Sequence, residues 1–216
     1  MKNVHRDRRD KEWSGLVALH RQRRVAIMQR LREFTEVPPS EYLYELMYCL
    51  MTPQTSAESA DKVVGRLKQL LFETSEVDPE PILRDRRHYI RFHKTKTQRL
   101  LMMKEEFPTI ASALATIASP VELREWLVKH VKGLGYKEAT HFLRNIGRNG
   151  GLTILDRHIL RNLQRYGAIR TVPKSLTRKR YLSVERRFIE FSGSIGIPVD
   201  ELDLLFWSME TGEIRK

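Results

Sequence analysis

The sequence predicts an all-α protein, two helical lobes around a cleft. Three observations carry that expectation. Apolar residues recur at three- and four-residue intervals along every periodic segment, as on one face of a helix. No stretch alternates apolar and polar residues between hairpin turns, as a strand pair would. Pro, Gly, Ser and Thr fall where helices start and stop. The chain has 216 residues, 41% hydrophobic and 31% charged, which suits an ordinary globular protein of one domain or two small lobes.

The elements follow in order. Residues 1–11 are too polar to pack and are expected to form a flexible basic arm, leaving 12–216 as the folded domain. Trp13, Leu16, Val17, Leu19, Ile27, Leu31 and Phe34 predict an amphipathic helix reaching Glu36. Pro38-Pro39-Ser40-Glu41 ends it and opens a helix with the stripe Tyr42, Leu43, Leu46, Met47, Leu50. After the loop Met51-Thr52-Pro53-Gln54-Thr55, a helix capped near Thr55 or Ser56 buries Ala60, Val63, Val64, Leu67 and Leu70. Pro79 and Pro81 start a short helix, and the basic run Arg91–Lys96 leads into another that ends near Glu106.

Ser119-Pro120, an N-cap followed by proline at the first helical position, opens a helix through Leu123, Trp126, Leu127 and Val131. Gly133-Leu134-Gly135 breaks it, and Tyr136 to about Ile146 is helical again. Asn149-Gly150-Gly151 is a turn; helices follow over 154–166, 177–194 and 202–209. One lobe is expected to span roughly 46–152, the other 12–45 with 153–216.

Composition removes several functions. Apolar runs such as Leu204–Trp207 are far shorter than the roughly 18 residues a membrane span requires, and no apolar signal-peptide region follows the basic start. An intracellular protein, cytoplasmic or at the nucleoid, with no membrane partner is expected. The lone Cys49 excludes an internal disulfide, a four-cysteine cluster and a zinc ribbon; inside Leu46–Leu50 it reads as a core thiol. The seven histidines show no metal-ligand spacing, so neither metal nor cofactor is expected. The formal charge of +12 and pI near 10.0 point to a polyanion, most often nucleic acid.

Chemistry concentrates in two segments. Gly133-Leu134-Gly135 joins two short helices with Leu134 as an inward anchor, and glycine-rich backbone at a helix start can cradle a phosphate oxygen. Such a helix–hairpin–helix grips DNA backbone without reading sequence, and Lys129, His130 and Lys132 add charge beside it. An ordinary helical hairpin with a glycine turn has the same pattern. Lys137 stands in the first turn of the following helix, where it opposes the helix dipole, and neutral amines attack electrophilic carbon to form Schiff bases. A solvated lysine reads the same from position alone. Asp156, 19 positions further on, opens another helix; it is a cap, or a carboxylate able to stabilise positive charge developing on a sugar.

Together Gly133-Leu134-Gly135-Tyr136-Lys137 and Asp156 resemble the helix–hairpin–helix and catalytic-aspartate signature of the endonuclease III superfamily of DNA glycosylases. KGLGYKEATHFLRNIG with ILDRHILR, and the ending LDLLFWSMETGEIRK, are similar to the type 2 8-oxoguanine DNA glycosylase/AP lyases. The resemblance implies a monomer that acts on damaged double-stranded DNA, flips out 8-oxoguanine and excises it, without small-molecule cofactor. It also implies roles. Lys137 attacks C1′ and Asp156 is the essential carboxylate; Trp207, Phe92 and Lys216 bind the flipped base, and Gln54 probes the gap left behind. Gly133, Gly135 and Lys132 hold the DNA backbone. Pro53-Gln54 replaces the Ala-Asn pair usual in the family, and His93 a common aromatic, so preference for lesion and opposite base is left open. Trp207 and Phe92 also fit a core. Two rival functions remain: an oxidised-pyrimidine glycosylase of the endonuclease III type, and a non-catalytic DNA-binding module.

Overall fold

The computed structural model describes the backbone of residues 2–214 and the side chains of residues 11–214. Ten α-helices occupy the described residues, and none of these residues is in a strand. They are α1 (Lys2–Thr35), α2 (Tyr42–Met51), α3 (Ala57–Gln69), α4 (Glu80–Leu83) and α5 (His93–Thr116). Then come α6 (Pro120–His130), α7 (Tyr136–Asn145), α8 (Arg157–Arg165), α9 (Arg178–Ile195) and α10 (Val199–Thr211). No described helix is long and apolar enough to cross a membrane.

The chain divides into two compact units. One runs over Val37–Arg148; the other joins the chain up to Glu36 to everything from Asn149 onward. The first is built around α2, where every residue from Leu43 to Met51 except Glu45 is buried. A helix apolar all round belongs in a core, and α3, α5 and α7 pack about it. That is why the boundary lies before α2 and not at the expected residue 46: α2 packs against α3, α5 and α7, which belong to this unit. Cys49 is wholly buried here, the core thiol anticipated.

The second unit packs α1 and α8 against α10, with α9 alongside. Its centre is aromatic: Phe206 stacks between Tyr166 (5.6 Å) and Phe188 (5.8 Å), and Trp13 meets Phe191 edge-on. Buried His20 lies 2.7 Å from the Glu201 carboxylate, joining α1 to α10.

Three elements depart from expectation. Residues 1–11 are not a loose arm in backbone terms, since α1 is helical from Lys2. Between there and Ser14 the chain has no Gly or Pro, and a helix nucleated by packed residues extends cheaply through Lys, Arg and Glu. Helix α5 does not stop near Glu106 but passes through Pro108 to Thr116. Proline removes one backbone hydrogen bond, yet Leu100 and Met103 before it and Ile110 and Leu114 after it are all buried on one face. The helix expected from Ile154 begins only at Arg157, because the backbone of Thr153 and Leu155 bonds to α9 side chains instead.

Candidate active site

Within the Val37–Arg148 unit the hairpin is anchored as expected, with Leu134 6% exposed. Gly133 has φ of +97°, a conformation open to glycine, and an added Cβ would sit 2.6 Å from Cδ of Arg99. Gly135 differs. Its φ of −97° is extended, and its N–H donates to Glu138 Oε2 at 3.2 Å, while the Leu134 N–H donates to the Val131 carbonyl at 3.2 Å. Two of the amides expected to cradle phosphate are therefore engaged inside the protein. Lys129, His130 and Lys132 are exposed beside them. Buried Arg124 braces the hairpin from α6, its guanidinium 5.3 Å from the Tyr136 ring and 3.3 Å from Thr140 Oγ1.

Lys137 is the second residue of α7 and half-buried. Its positive charge is felt by Lys96 of α5, a residue 3% exposed. Burial first, then the charge of Arg99, push the Lys96 amine down to about 8; Glu138 pulls the other way, and Lys137 adds a smaller push down. The Lys96 ammonium donates to the Met51 carbonyl at 2.6 Å, the Pro53 carbonyl at 2.9 Å and Thr55 Oγ1 at 3.2 Å. It thus holds the loop that carries Gln54, which is exposed with φ of +57°.

Phe92 is no core aromatic: it is 52% exposed, sits left-handed at φ +60° as the residue before α5, and carries the Arg91 guanidinium 4.9 Å over its ring. The Arg91 N–H donates to Thr55 Oγ1 at 3.3 Å. His93 pairs with Tyr89, ring centroids 5.6 Å apart.

The other unit holds Asp156 and Trp207. Asp156 is half-buried and caps α8, its Oδ1 accepting from the Ile159 N–H at 2.8 Å. The segment delivering it is fixed from α9. Glu185 accepts from the Thr153 N–H at 3.0 Å, and the Tyr181 hydroxyl donates to the Thr153 carbonyl at 2.6 Å and accepts from the Leu155 N–H at 3.3 Å. Trp207 is half-buried on α10, its ring centroid 5.5 Å from that of His158, which in turn lies 3.4 Å from the Glu210 carboxylate. Lys216 lies outside the described residues. His141 is buried against Tyr48.

The candidate residues are thus gathered in two sets: Lys137, Gln54, Phe92 and the hairpin in one unit, Asp156 and Trp207 in the other. Among the described residues no three His, Cys, Asp or Glu side chains converge where a metal could sit. Lys96, Tyr181 and Glu185 escaped the reading of the sequence. Lys96 was legible in part, since it stands four residues before Leu100 on the buried face of α5 and so could not be one more solvated cation.

The chain is similar to known proteins over most of its length. A family model described as 8-oxoguanine DNA glycosylase matches residues 27–197. The chain is 40% identical over 194 residues to an 8-oxoguanine DNA glycosylase/AP lyase of Korarchaeum cryptofilum, covering 89% of this chain and 91% of that one. To the protein of that name from Fusobacterium nucleatum it is 36% identical, covering 87% and 90%. The crystal structure of the Methanocaldococcus jannaschii 8-oxoguanine DNA glycosylase superposes with a TM-score of 0.83 at 27% identity, over 95% of this chain and 98% of that. A structure of the same archaeon's 8-oxoguanine glycosylase/lyase with a 15mer DNA containing 8-oxoguanine superposes at 0.80 and 29% identity, over 89% and 93%.

Proposed function

The chain belongs to the 8-oxoguanine DNA glycosylase family, and on that premise we propose how its residues divide the work. The enzyme is a bifunctional glycosylase/AP lyase that removes 8-oxoguanine from DNA. A base inside a duplex is out of reach of a lysine, so the nucleotide is flipped out at a cost of a few kcal/mol. Lys129, Lys132 and the bare backbone edge at Gly133 hold phosphates and offset that cost, with Gly135 contributing shape more than a free amide. Trp207, Phe92 and Lys216 receive the base; stacking on one aromatic contributes about 1–3 kcal/mol. Gln54 enters the gap. The enzyme works as a monomer on double-stranded DNA inside the cell.

As the bond from C1′ to the base breaks, its electron pair leaves with the base and positive charge grows on the sugar, opposite the Asp156 carboxylate. The Lys137 nitrogen bonds to C1′ and loses a proton; its lone pair then breaks the C1′–O4′ bond, O4′ takes up a proton as a hydroxyl, and the opened sugar is held as the protonated imine. Loss of a C2′ proton then expels the 3′ phosphate by β-elimination. The observation that carries this reading is that Lys137 and Asp156 both fall within the stretch matched by the family model, and each opens a helix whose start is fixed by buried contacts. No metal enters any step.

Single-turnover excision across a panel of damaged duplexes tests it. 8-Oxoguanine should be the preferred lesion. Faster release of thymine glycol would favour the oxidised-pyrimidine reading, and lesion-blind, salt-sensitive binding with no strand cleavage would leave only a DNA-binding module.

A further inference from the structure

We propose that Lys96 is the positioning residue for lesion recognition: its buried ammonium locks the loop of Gln54 and, through Thr55, the turn of Phe92 into their DNA-reading conformations. The proposal rests on the assignment of Gln54 and Phe92 to DNA contact.

A lysine ammonium has three donors and no acceptor. Here all three are spent on one five-residue stretch: the carbonyls of Met51 and Pro53, and Thr55 Oγ1. Met51 is the last residue of α2, so the charge also sits at the negative end of that helix, where a cation is favoured. Gln54 lies between two of these anchors, at φ +57°, a conformation uncommon for residues other than glycine. Such backbone persists only when its surroundings over-determine it, and the Lys96 clamp does so. The Thr55 hydroxyl oxygen accepts a second bond, from the Arg91 N–H. Phe92 follows directly, also left-handed and half exposed. One cation thereby sets two strained, exposed side chains at once. A buried lysine with no partner would be costly, so the loop and the charge stabilise each other. Arg99, Glu138 and Lys137 are the other charged groups that face it.

Lys96→Met removes the clamp. Thr55→Val cuts the link to Phe92 and one donor's target, and leaves the Lys96 charge in place, so an effect shared by both variants is not a change of charge near Lys137. Both are compared with Gln54→Ala in single-turnover excision of 8-oxoguanine opposite each of the four bases, and in strand cleavage at a preformed abasic site. We expect excision to fall about tenfold to a hundredfold, the scale of a small misplacement at a reacting site. The spread of rates among opposite bases should flatten, and cleavage at the preformed abasic site should lose far less. Thr55→Val carries the test if Lys96→Met fails to fold. Equal losses in excision and abasic-site cleavage, or an intact spread in both variants, would overturn the proposal. If Gln54→Ala alone flattens the spread, the clamp is wrong and the Gln54 assignment stands. If the clamp variants flatten it and Gln54→Ala does not, the clamp acts through Phe92 and the Gln54 assignment fails.

Discussion

Asp156 has a structural duty and, in the proposed mechanism, a chemical one, and a single atom's change separates them. As N-cap it accepts the Ile159 N–H; as a carboxylate it is proposed to offer charge to the sugar. Asparagine caps a helix about as well as aspartate, so Asp156→Asn should leave thermal stability within a few tenths of a kcal/mol of the parent yet cut excision by about 10²–10³-fold, the loss typical when one electrostatic stabiliser is removed. Differential scanning alongside a single-turnover assay reads both. An equally active Asp156→Asn would reduce the residue to a cap. Lys96 makes a separate prediction through pH. Its amine lies near 8 when folded and at the ordinary lysine value of 10.5 when unfolded. Below about pH 8 both states are protonated; between there and 10.5 the unfolded chain holds the extra proton, so stability rises with pH, by up to about 3 kcal/mol from this group. The stability difference between wild type and Lys96→Met, from urea unfolding at pH 7 and pH 10, should therefore move in favour of the wild type at pH 10. A pH-independent difference would contradict the buried, charge-crowded environment.

At the scale of elements, the hairpin's two glycines are alike in sequence and unlike in need. Gly133 holds a positive φ that an alanine strains, though Arg99 can swing aside; Gly135 is extended and meets only the Glu138 carboxylate at 3.0 Å. Gly133→Ala should cost about 1 kcal/mol or more and weaken DNA binding, whereas Gly135→Ala should cost a few tenths. Thermal melts and filter binding of the two variants check this; equal effects would mean that the hairpin depends on bareness at both. Most elements were legible because caps and apolar spacing agree: Ser56 and Ser119 both accept the expected backbone N–H. Helix α5 outruns its expected end near Glu106 because the local cost of Pro108 is outweighed by the burial of Ile110, Ala113 and Leu114 beyond it. Asp156 reads correctly as a cap, but the helix is expected from Ile154 because the apolar residues before Asp156 suit a helix, and Tyr181 and Glu185, more than 25 residues away, give that backbone other partners.

For the molecule as a whole, charge decides how it meets its substrate. With a formal charge of +12, affinity for duplex should fall linearly in log salt, by about 0.9 per phosphate contacted, with the same slope for damaged and undamaged DNA. Lys132→Gln should lower the slope by about 1 without altering lesion preference; a changed preference would mean that Lys132 reads the lesion. The chemistry proposed for Lys137 and Asp156 rests in the sequence on a joint motif, since each alone reads as a surface lysine or a helix cap. What supports them was not visible, being a matter of contacts far apart in sequence. The proposed chemistry turns on a bond between the amine of Lys137 and the sugar. Borohydride reduction with an 8-oxoguanine duplex, followed by peptide mapping of the trapped product, measures this directly. A covalent adduct mapped to Lys137 and absent in Lys137→Gln is the expected result; an undiminished adduct in that variant, or one mapped to another residue, would contradict it.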